Sequence, residues 1–220
     1  MRVIIMRVLC ISDLHGRIEN IKKLKSAARV DLVVLSGDIT HFGGREKAKA
    51  ALEELFKINK KVFAVPGNCD LPEVNEVLAE LDIDLHSNGR IFKEIGFFGA
   101  GGSNATPFDT PQEYSEEKLE EFLKQGFEKI KAQKHKILVS HSPPHNTAVD
   151  TGGSGAHIGS RKVREFVEKN QVDIVLCGHA HEARGFDWIG RTLVINSGPL
   201  HMGCARVGIG DKIDFEFVSF

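Results

Sequence analysis

Cysteine is scarce in this sequence, and its spacing excludes the usual cysteine frameworks. The chain has four cysteines among 220 residues, Cys10, Cys69, Cys177 and Cys204, and no two of them form a Cys-x-x-Cys pair. Such scattered residues predict neither a disulfide scaffold nor a thiolate zinc site. Free thiols are typical of the reducing cytoplasm, which is therefore the location that we expect.

Long apolar runs and a strong net charge are also absent. No stretch of the sequence approaches the length of a membrane-spanning helix. The apolar residues near the start are too few for a signal peptide, and either Met1 or Met6 could be the first residue. A net charge of −1 produces no overall attraction to an anionic membrane or to nucleic acid. We therefore expect no membrane partner, and nucleic acid could take part only as a substrate.

The rest of the composition is that of an ordinary globular domain. Hydrophobic residues make up 41% of the chain and charged residues 27%. The sequence contains no repeat of fixed period, no linker and no low-complexity tract. Because a chain of 220 residues buries a sizeable core, we expect residues 1–220 to form a single domain.

Five short apolar runs end in polar, chemically capable residues. The runs read as buried strands, and the residues that follow them are Asp13-Leu14-His15, Gly37-Asp38, Gly67-Asn68, His141, and Gly178-His179-Ala180-His181. Open α/β sheets build their sites at the carboxyl ends of their strands. The pattern therefore predicts one site made from all five strand ends.

Helical periodicity separates the first strands and indicates a parallel sheet. We expect helices over residues 17–29, 45–59, 72–81, 113–133 and 160–170. Residues 90–94 and 96–100 resemble antiparallel strands, and four further strands are expected at 185–189, 191–196, 204–209 and 212–218. The long loop 142–159 is rich in Gly and Pro, and a loop of this length is usually functional or disordered.

The seven polar side chains at the strand ends are suited to metal binding. They are two carboxylates, four imidazoles and one amide, namely Asp13, His15, Asp38, Asn68, His141, His179 and His181. Seven groups are too many for one ion and suit two ions that share a carboxylate, for which Asp38 is the natural choice. The mixture of nitrogen and oxygen without thiolate favours Mn²⁺, with Fe, Zn, Co or Ni as alternatives. A water between two such ions is acidified enough to attack phosphorus in line.

Each of these residues alone has a simpler explanation. A histidine at a strand end is more often a hydrogen-bonded polar residue than a ligand, and Gly-Asp after a strand is often only a turn. The metal site is favoured because five such strand ends occur in one chain.

The same motifs resemble those of the calcineurin-like metallophosphoesterases over nearly the whole chain. Gly67-Asn68-Cys69-Asp70 and Asn196-Ser-Gly-Pro-Leu200 are most similar to small prokaryotic members related to the bacterial cyclic-nucleotide phosphodiesterase. The resemblance implies an α/β fold, a four-layer α/β/β/α sandwich with two central mixed sheets. It also implies that Asp13, His15, Asp38 and His181 hold one ion, and that Asp38, Asn68, His141 and His179 hold the other.

One position departs from the family pattern. Many members carry histidine directly after the Gly-Asn pair, where this chain has Cys69. A thiol is neutral at pH 7 and substitutes poorly for an imidazolium. We expect His157 first and His41 second to contact substrate phosphate in its place, with His145 and His201 as weaker candidates, whereas His86 and His135 lie among charged residues and receive no role.

The leading hypothesis is a phosphodiesterase in which a hydroxide between two divalent ions attacks a small phosphoester in line. A phosphomonoesterase or protein phosphatase is the alternative within enzymes. A non-catalytic scaffold, similar to the retromer subunit of related fold, is the alternative outside them, with Cys69 as its only support. The edges of the C-terminal strands would allow a homodimer.

Overall fold

The computed structural model describes residues 4–27 and 29–220, and our expectations about Met1 and the helical position Ala28 lie outside it. The described residues form two β-sheets. Their strands are β1 Ile4–Ile11, β2 Leu32–Ser36, β3 Val62–Val65, β4 Gly89–Phe92, β5 Ile95–Ala100, β6 His135–Ser140, β7 Ile174–Cys177, β8 Gly185–Ile189, β9 Thr192–Asn196, β10 Cys204–Gly210 and β11 Asp214–Val218.

The first sheet has the order β11-β10-β1-β2-β3. Its strands β1, β2 and β3 are parallel, with Cys10 beside Val34 and Val34 beside Phe63. Strand β10 pairs with the other edge of β1 in the antiparallel direction, and β11 continues that meander. The parallel arrangement predicted for the first half of the chain is thus confirmed. Of the four strands expected near the C-terminus, β10 and β11 complete this sheet.

The second sheet has the order β4-β5-β6-β7-β9-β8. Strands β5, β6, β7 and β9 run parallel, while β4 and β8 are antiparallel edges. The segment 89–100, expected as an antiparallel addition, forms the β4–β5 hairpin at one edge. Both sheets are therefore mixed, as the resemblance implied.

Helices cover the outer faces of both sheets. They are α1 Ile18–Ile21, α2 Arg45–Phe56, α3 Glu73–Glu80, α4 Glu116–Ile130 and α5 Arg161–Lys169. Ser160 is the N-cap of α5, since its side chain accepts a hydrogen bond from the Val163 amide at 3.1 Å. None of the helices in the described residues is long and apolar enough to cross a membrane.

The helix predicted over residues 17–29 is wrong in its length. Helix α1 has four residues and continues as a 3₁₀ helix over Lys22–Ser26. No side chain caps its start at Arg17, and the like charges of Lys22 and Lys25 stand three residues apart. Both features weaken further α-helical turns.

Three hydrophobic clusters separate four layers. One lies between α1–α3 and the first sheet, and includes Leu35 and Leu52. The second lies between the two sheets and joins Val34 to Phe97. The third lies between the second sheet and α4–α5, and includes Leu123. The layers are therefore helix, sheet, sheet, helix, and the predicted α/β/β/α sandwich is confirmed.

Candidate metal centre

The predicted ligands follow directly after strands, where the backbone turns sharply. Asp13, His15, Asp38 and His179 have positive φ angles of 54°, 47°, 49° and 67°. Non-glycine residues enter this left-handed region rarely and at an energetic cost. Along a strand, successive side chains point to opposite faces of the sheet. These turns end that alternation, so that neighbouring side chains project into one crevice between the two sheets.

Glycines permit this close approach. A Cβ atom at Gly67 would overlap the carboxylate and the backbone nitrogen of Asp38. A Cβ atom at Gly178 would overlap the Ser12 hydroxyl and lie 2.6 Å from an Asp13 carboxylate oxygen. The glycine before Asn68 and the glycine before His179 are therefore dictated by the packing of other strand ends against them.

The first group of converging atoms contains Asp13, His15, Asp38 and His181, whose ligand atoms all lie within 4.8 Å of one another. His181 Nε2 lies 3.2 Å from Asp13 Oδ1 and 3.2 Å from His15 Nε2. His15 Nε2 lies 3.6 Å from Asp38 Oδ2. Two ring nitrogens and two carboxylates in this arrangement form a donor set that suits a divalent cation.

The second group contains Asp38, Asn68, His141 and His179. His141 Nδ1 lies 2.7 Å from the Ser36 carbonyl oxygen, so in the neutral ring it is the protonated nitrogen and Nε2 carries the lone pair. That Nε2 atom lies 2.8 Å from Asn68 Oδ1, and His179 Nδ1 lies 3.0 Å from the same oxygen. The lone pair of His141 Nε2 thus faces the amide oxygen of Asn68, and two acceptors this close together fit an intervening cation.

The orientation of Asn68 is fixed by a neighbouring loop. Its Nδ2 atom donates to Thr110 Oγ1 at 2.9 Å, and Thr110 Oγ1 donates to Glu113 Oε1 at 2.7 Å. This chain of hydrogen bonds turns the amide oxygen of Asn68 toward the imidazoles. Thr110 and Glu113 lie more than forty residues away in sequence, and no sequence signal pointed to them.

The protonation states favour cation binding. Burial acts to raise the pKa of Asp13, but the hydrogen bond from His181 and the nearby imidazoles outweigh it and place that pKa below its usual range. Burial lowers the pKa of His15, and burial together with His141 lowers the pKa of His179 to about 4. The hydrogen bond with Asp13 raises the pKa of His181. At neutral pH Asp13 is therefore anionic, while His15 and His179 have free lone pairs.

Asp70, for which no role was predicted from the sequence, connects two of the turns that carry candidate ligands. This fully buried carboxylate accepts from the amides of Gly67 at 2.8 Å, Thr40 at 2.7 Å and Ile39 at 3.1 Å. Burial and the Asp38 carboxylate raise the pKa of Asp70 to about 7. The turn that follows β2 and the turn that follows β3 are thus held by one side chain.

The two additional catalytic candidates lie in different places. His41 is exposed and packs against His15, with ring centroids 5.5 Å apart. His157 is bonded through Nδ1 to the buried carboxylate of Asp150 at 2.6 Å. His145 approaches the same carboxylate, at 3.7 Å. The structure therefore brings His41 to the first group of converging side chains, and it places His157 and His145 together in the loop 142–159.

His86 is half-buried, not on the surface as its charged neighbours suggested, and its lack of a catalytic role stays a prediction. Its ring packs against Tyr114 and Phe122, and its Nδ1 atom accepts a hydrogen bond from the Gly101 amide at 2.9 Å. Burial lowers its pKa to about 4. The charged neighbour Asp84 accepts from the His86 amide at 2.8 Å, so it contacts the backbone of His86 while the ring packs against the aromatic side chains.

The loop 142–159 is tied to the last ligand motif. The Asn196 side chain donates to the carbonyl oxygens of Ala180 at 2.8 Å and Val149 at 3.2 Å. Ala180 lies between His179 and His181, and Val149 precedes Asp150. Asn196 therefore connects the turn that carries His179 and His181 with the loop that carries His157.

Comparison with known proteins agrees with this geometry. A model of the calcineurin-like phosphoesterase family matches residues 6–183, a span that contains all seven predicted ligands. The two-sheet sandwich and the histidine–carboxylate cluster thus define a metal-dependent phosphoester hydrolase. The chain belongs to the calcineurin-like phosphoesterases, and the family predicted from the motifs is confirmed.

Individual relatives extend over most of the chain. An uncharacterised protein of Methanocaldococcus jannaschii is 38% identical over 201 residues, which are 88% of each chain. A probable cyclic nucleotide phosphodiesterase of Vesicomyosocius okutanii is 27% identical, over 80% of this chain and 74% of its own. A crystal structure from Thermus thermophilus superposes with a TM-score of 0.75 at 19% identity, over 98% of this chain and 99% of that one.

Proposed function

We propose that this chain is a dinuclear metal-dependent phosphodiesterase and that residues 1–220 act as one domain. The observation that carries the proposal is the position of Asp38. Its Oδ2 atom lies 3.6 Å from His15 Nε2, and its Oδ1 atom lies 3.5 Å from His141 Nε2. A carboxylate that faces two groups of ligand atoms with different oxygens is placed to serve two cations.

The proposed ligand sets follow the two groups. Asp13, His15, Asp38 and His181 would hold one ion, and Asp38, Asn68, His141 and His179 would hold the other. When bound, two divalent ions supply Lewis acidity toward the phosphoryl oxygens and an acidified water as the nucleophile. Mn²⁺ is our first choice for a donor set of nitrogen and oxygen, with Fe, Zn, Co or Ni as alternatives.

The chain itself contributes orientation. Ser36 holds the ring of His141 through its carbonyl oxygen, and Thr110 holds the amide of Asn68. Asp70 holds the turns that carry Asp38 and Asn68. Ligands fixed in this way need little rearrangement when substrate binds, which lowers the entropic part of the barrier.

The preference for a diester rests on Cys69. Burial and the Asp38 carboxylate raise the pKa of this thiol well above its ordinary value, so it is a poor proton donor to a departing oxygen. Substrates whose leaving group departs as a stable oxyanion suffer least from this. The name of the Vesicomyosocius okutanii relative, a probable cyclic nucleotide phosphodiesterase, supports the same substrate class.

We assign contact with the substrate phosphate to His41 and His157. His41 is exposed beside His15, at the open side of the first group. The bond between His157 Nδ1 and Asp150 leaves Nε2 to reach a ligand. An imidazole oriented by a buried carboxylate is well suited to bind an anionic oxygen.

The test compares a diester with a monoester on the same protein. Protein stripped with EDTA is assayed with bis(p-nitrophenyl) phosphate and p-nitrophenyl phosphate before and after Mn²⁺ is added, and bound metal is counted. We expect two ions per chain and faster diester hydrolysis. Asp38→Asn should bind less metal and lose nearly all turnover, whereas Asp211→Asn, at an exposed turn, is the matched control.

Other results would assign another function. Monoester turnover equal to or better than diester turnover would identify a phosphomonoesterase. Two bound ions without turnover would favour the scaffold, and full activity in Asp38→Asn would refute the shared carboxylate. A small phosphoester is the partner that we propose, while a homodimer and a cytoplasmic location stay predictions.

A further inference from the structure

A third set of ligand atoms lies beside the candidate metal centre and overlaps with the first group at one residue. Ring nitrogens of His15 and His41 and the Sγ atom of Cys69 all lie within 4.8 Å of one another. We call this set the soft-donor group. It shares His15 with the first group, and it adds the sulfur that the metal centre otherwise lacks.

The soft-donor group is open to solvent. His41 is exposed and Cys69 is half-buried, whereas Cys10, Cys177 and Cys204 are buried. Among the described cysteines, Cys69 is thus the one that a dissolved cation can reach without unfolding the chain. Accessible sulfur beside two imidazoles is a different chemical environment from a thiol inside a hydrophobic cluster.

The group is also held in place before any ligand arrives. The Phe42 amide donates to the Cys69 carbonyl oxygen at 2.9 Å. On the other side of His41, the Thr40 amide and hydroxyl each donate to Asp70 at 2.7 Å. The two loops that carry His41 and Cys69 are therefore hydrogen-bonded to each other on both sides of His41. A cation that bound there would not need to order flexible backbone.

The donor set selects a particular kind of cation. Two imidazoles and a thiol are borderline-to-soft ligands, which favour Zn²⁺ and Cd²⁺ over Mn²⁺ or Mg²⁺. The neighbouring carboxylate of Asp38 accepts from the Cys69 amide at 2.9 Å, so the site lies in an anionic environment. Binding forms a sulfur–metal bond and releases the thiol proton to water, since the thiolate is the ligand.

We propose that His15, His41 and Cys69 form an inhibitory site for a soft divalent cation such as Zn²⁺ or Cd²⁺. A neutral imidazole has one nitrogen lone pair, so His15 serves either the first group or the soft-donor group, but not both. Occupancy of the soft-donor group therefore removes His15 from the first group and expels the ion held there. The expulsion step rests on the proposed function; formation of the sulfur–metal bond does not.

The experiment titrates Mn²⁺-loaded protein with Cd²⁺. Three signals are followed together: the ultraviolet charge-transfer band of a Cd–thiolate bond, free Mn²⁺ by electron paramagnetic resonance, and hydrolysis of bis(p-nitrophenyl) phosphate. We expect the band to saturate with one Cd²⁺ per chain while one Mn²⁺ is released and activity falls in parallel. In Cys69→Ser the band should vanish, and inhibition should need at least about tenfold more Cd²⁺.

Two further variants separate the site from general effects. His41→Asn retains the thiol, so it should keep the band but weaken Cd²⁺ binding about tenfold. Cys204→Ser removes a buried thiol from the cluster under the first sheet, and its Cd–thiolate band should match that of the unmodified chain. Circular dichroism of each variant confirms that it is folded before its titration is interpreted.

Several outcomes would overturn the proposal. They are a band that persists in Cys69→Ser, an unchanged Cd²⁺ affinity in His41→Asn, and release of Mn²⁺ without any band. A protein that binds no Mn²⁺ and hydrolyses nothing would contradict the proposed function instead. In that case the Cd–thiolate band of the metal-free protein still tests whether the soft-donor group binds a cation.

Discussion

At the scale of single residues, the candidate ligands occupy strained backbone positions. Asp13, His15, Asp38 and His179 are all left-handed, and each such residue costs about 1–3 kcal/mol relative to an ordinary conformation. Hydrogen bonds to the same segments hold them there, such as the one from the His15 amide to the Asp38 carbonyl oxygen at 2.9 Å. Candidate ligands are four of the eleven described non-glycine residues with positive φ, and backbone strain at converging polar residues is typical of a functional site.

Asp70 should control metal affinity without being a ligand. In Asp70→Asn, an amide NH₂ must face either the amide of Gly67 or that of Thr40, both of which now donate to the carboxylate. We expect the turns to separate and Mn²⁺ affinity to fall about 10–100-fold, measured by isothermal titration calorimetry. Asp211→Asn serves as the control, and unchanged affinity in Asp70→Asn would exclude the role.

His86 should make the fold sensitive to acid. Its pKa of about 4 in the folded chain lies below the ordinary value of 6.5, so the unfolded chain binds more protons between these values. Stability is then greatest above pH 6.5 and falls as the pH drops toward 4. For metal-free protein, we expect His86 alone to lower the unfolding free energy by about 2 kcal/mol between pH 7.5 and pH 5.

Urea unfolding at both pH values measures this effect. His86→Asn keeps an acceptor for the Gly101 amide but cannot take up a proton, so that part of the pH dependence should disappear. His201→Asn replaces an exposed histidine and should retain the full dependence. Equal pH dependence in all three proteins would show that acid acts on other groups.

At the scale of elements, the strands and their polar ends were predictable from the sequence, because an apolar run followed by Gly-Asp or Gly-Asn is a local pattern. The groups that orient the ligands were not. Thr110 acts on a side chain far away in the chain, and nothing local distinguishes it from other polar loop residues. Asn196 belongs to a motif of the family resemblance, but its bond to the Ala180 carbonyl oxygen could not be read from that motif. The change from an α-helix to a 3₁₀ helix within residues 17–29 could not be predicted either, because the spacing of the apolar residues suits both kinds of helix.

The loop 142–159 has a length that is typical of a functional or a disordered segment, and the structure shows it held in order by hydrogen bonds. The fully buried carboxylate of Asp150 accepts from the amides of Asn146 at 3.0 Å, Thr147 at 2.9 Å and Gly159 at 3.2 Å. A bridge between Thr151 and His157 closes a small hairpin within it. The order comes from one acidic side chain that periodicity cannot identify.

Asp150→Ala should therefore loosen the whole loop. It leaves the buried amides of Thr147 and Gly159 without an acceptor, so we expect a loss of about 3 kcal/mol in unfolding free energy and faster hydrogen exchange over residues 146–159. Asp150→Asn retains one oxygen and should be intermediate in both measurements. If exchange in the loop stays slow in Asp150→Ala, the order has another source.

At the scale of the whole molecule, the candidate site exists only where the two sheets meet. Asp13, His15, Asp38 and Asn68 follow strands of the first sheet, while His141, His179 and His181 follow strands of the second. Each group of ligand atoms draws on both sheets. The parallel strands could be predicted from the apolar pattern of the sequence. Their division into two sheets was implied only by the family resemblance.

Metal binding and packing between the sheets should therefore be coupled. Leu193→Ala removes a side chain from the cluster between the sheets, and Leu123→Ala removes one from the cluster under α4. Each should cost about 2–5 kcal/mol, measured by urea unfolding of metal-free protein. We expect only Leu193→Ala to weaken Mn²⁺ binding as well, and equal Mn²⁺ affinities in the two variants would contradict the coupling.

The position of β1 also affects how the chain folds while it is being synthesised on the ribosome. β1, which precedes Asp13 and His15, lies between β2 and β10, with Leu9 opposite Arg206. A nascent chain can therefore complete β2, β3 and their helices early, yet β1 keeps one bare edge until residue 210 has left the exit tunnel. Contacts between such distant parts of a sequence form slowly. During synthesis, a chaperone that shields this edge would protect the strand that leads into the candidate active site.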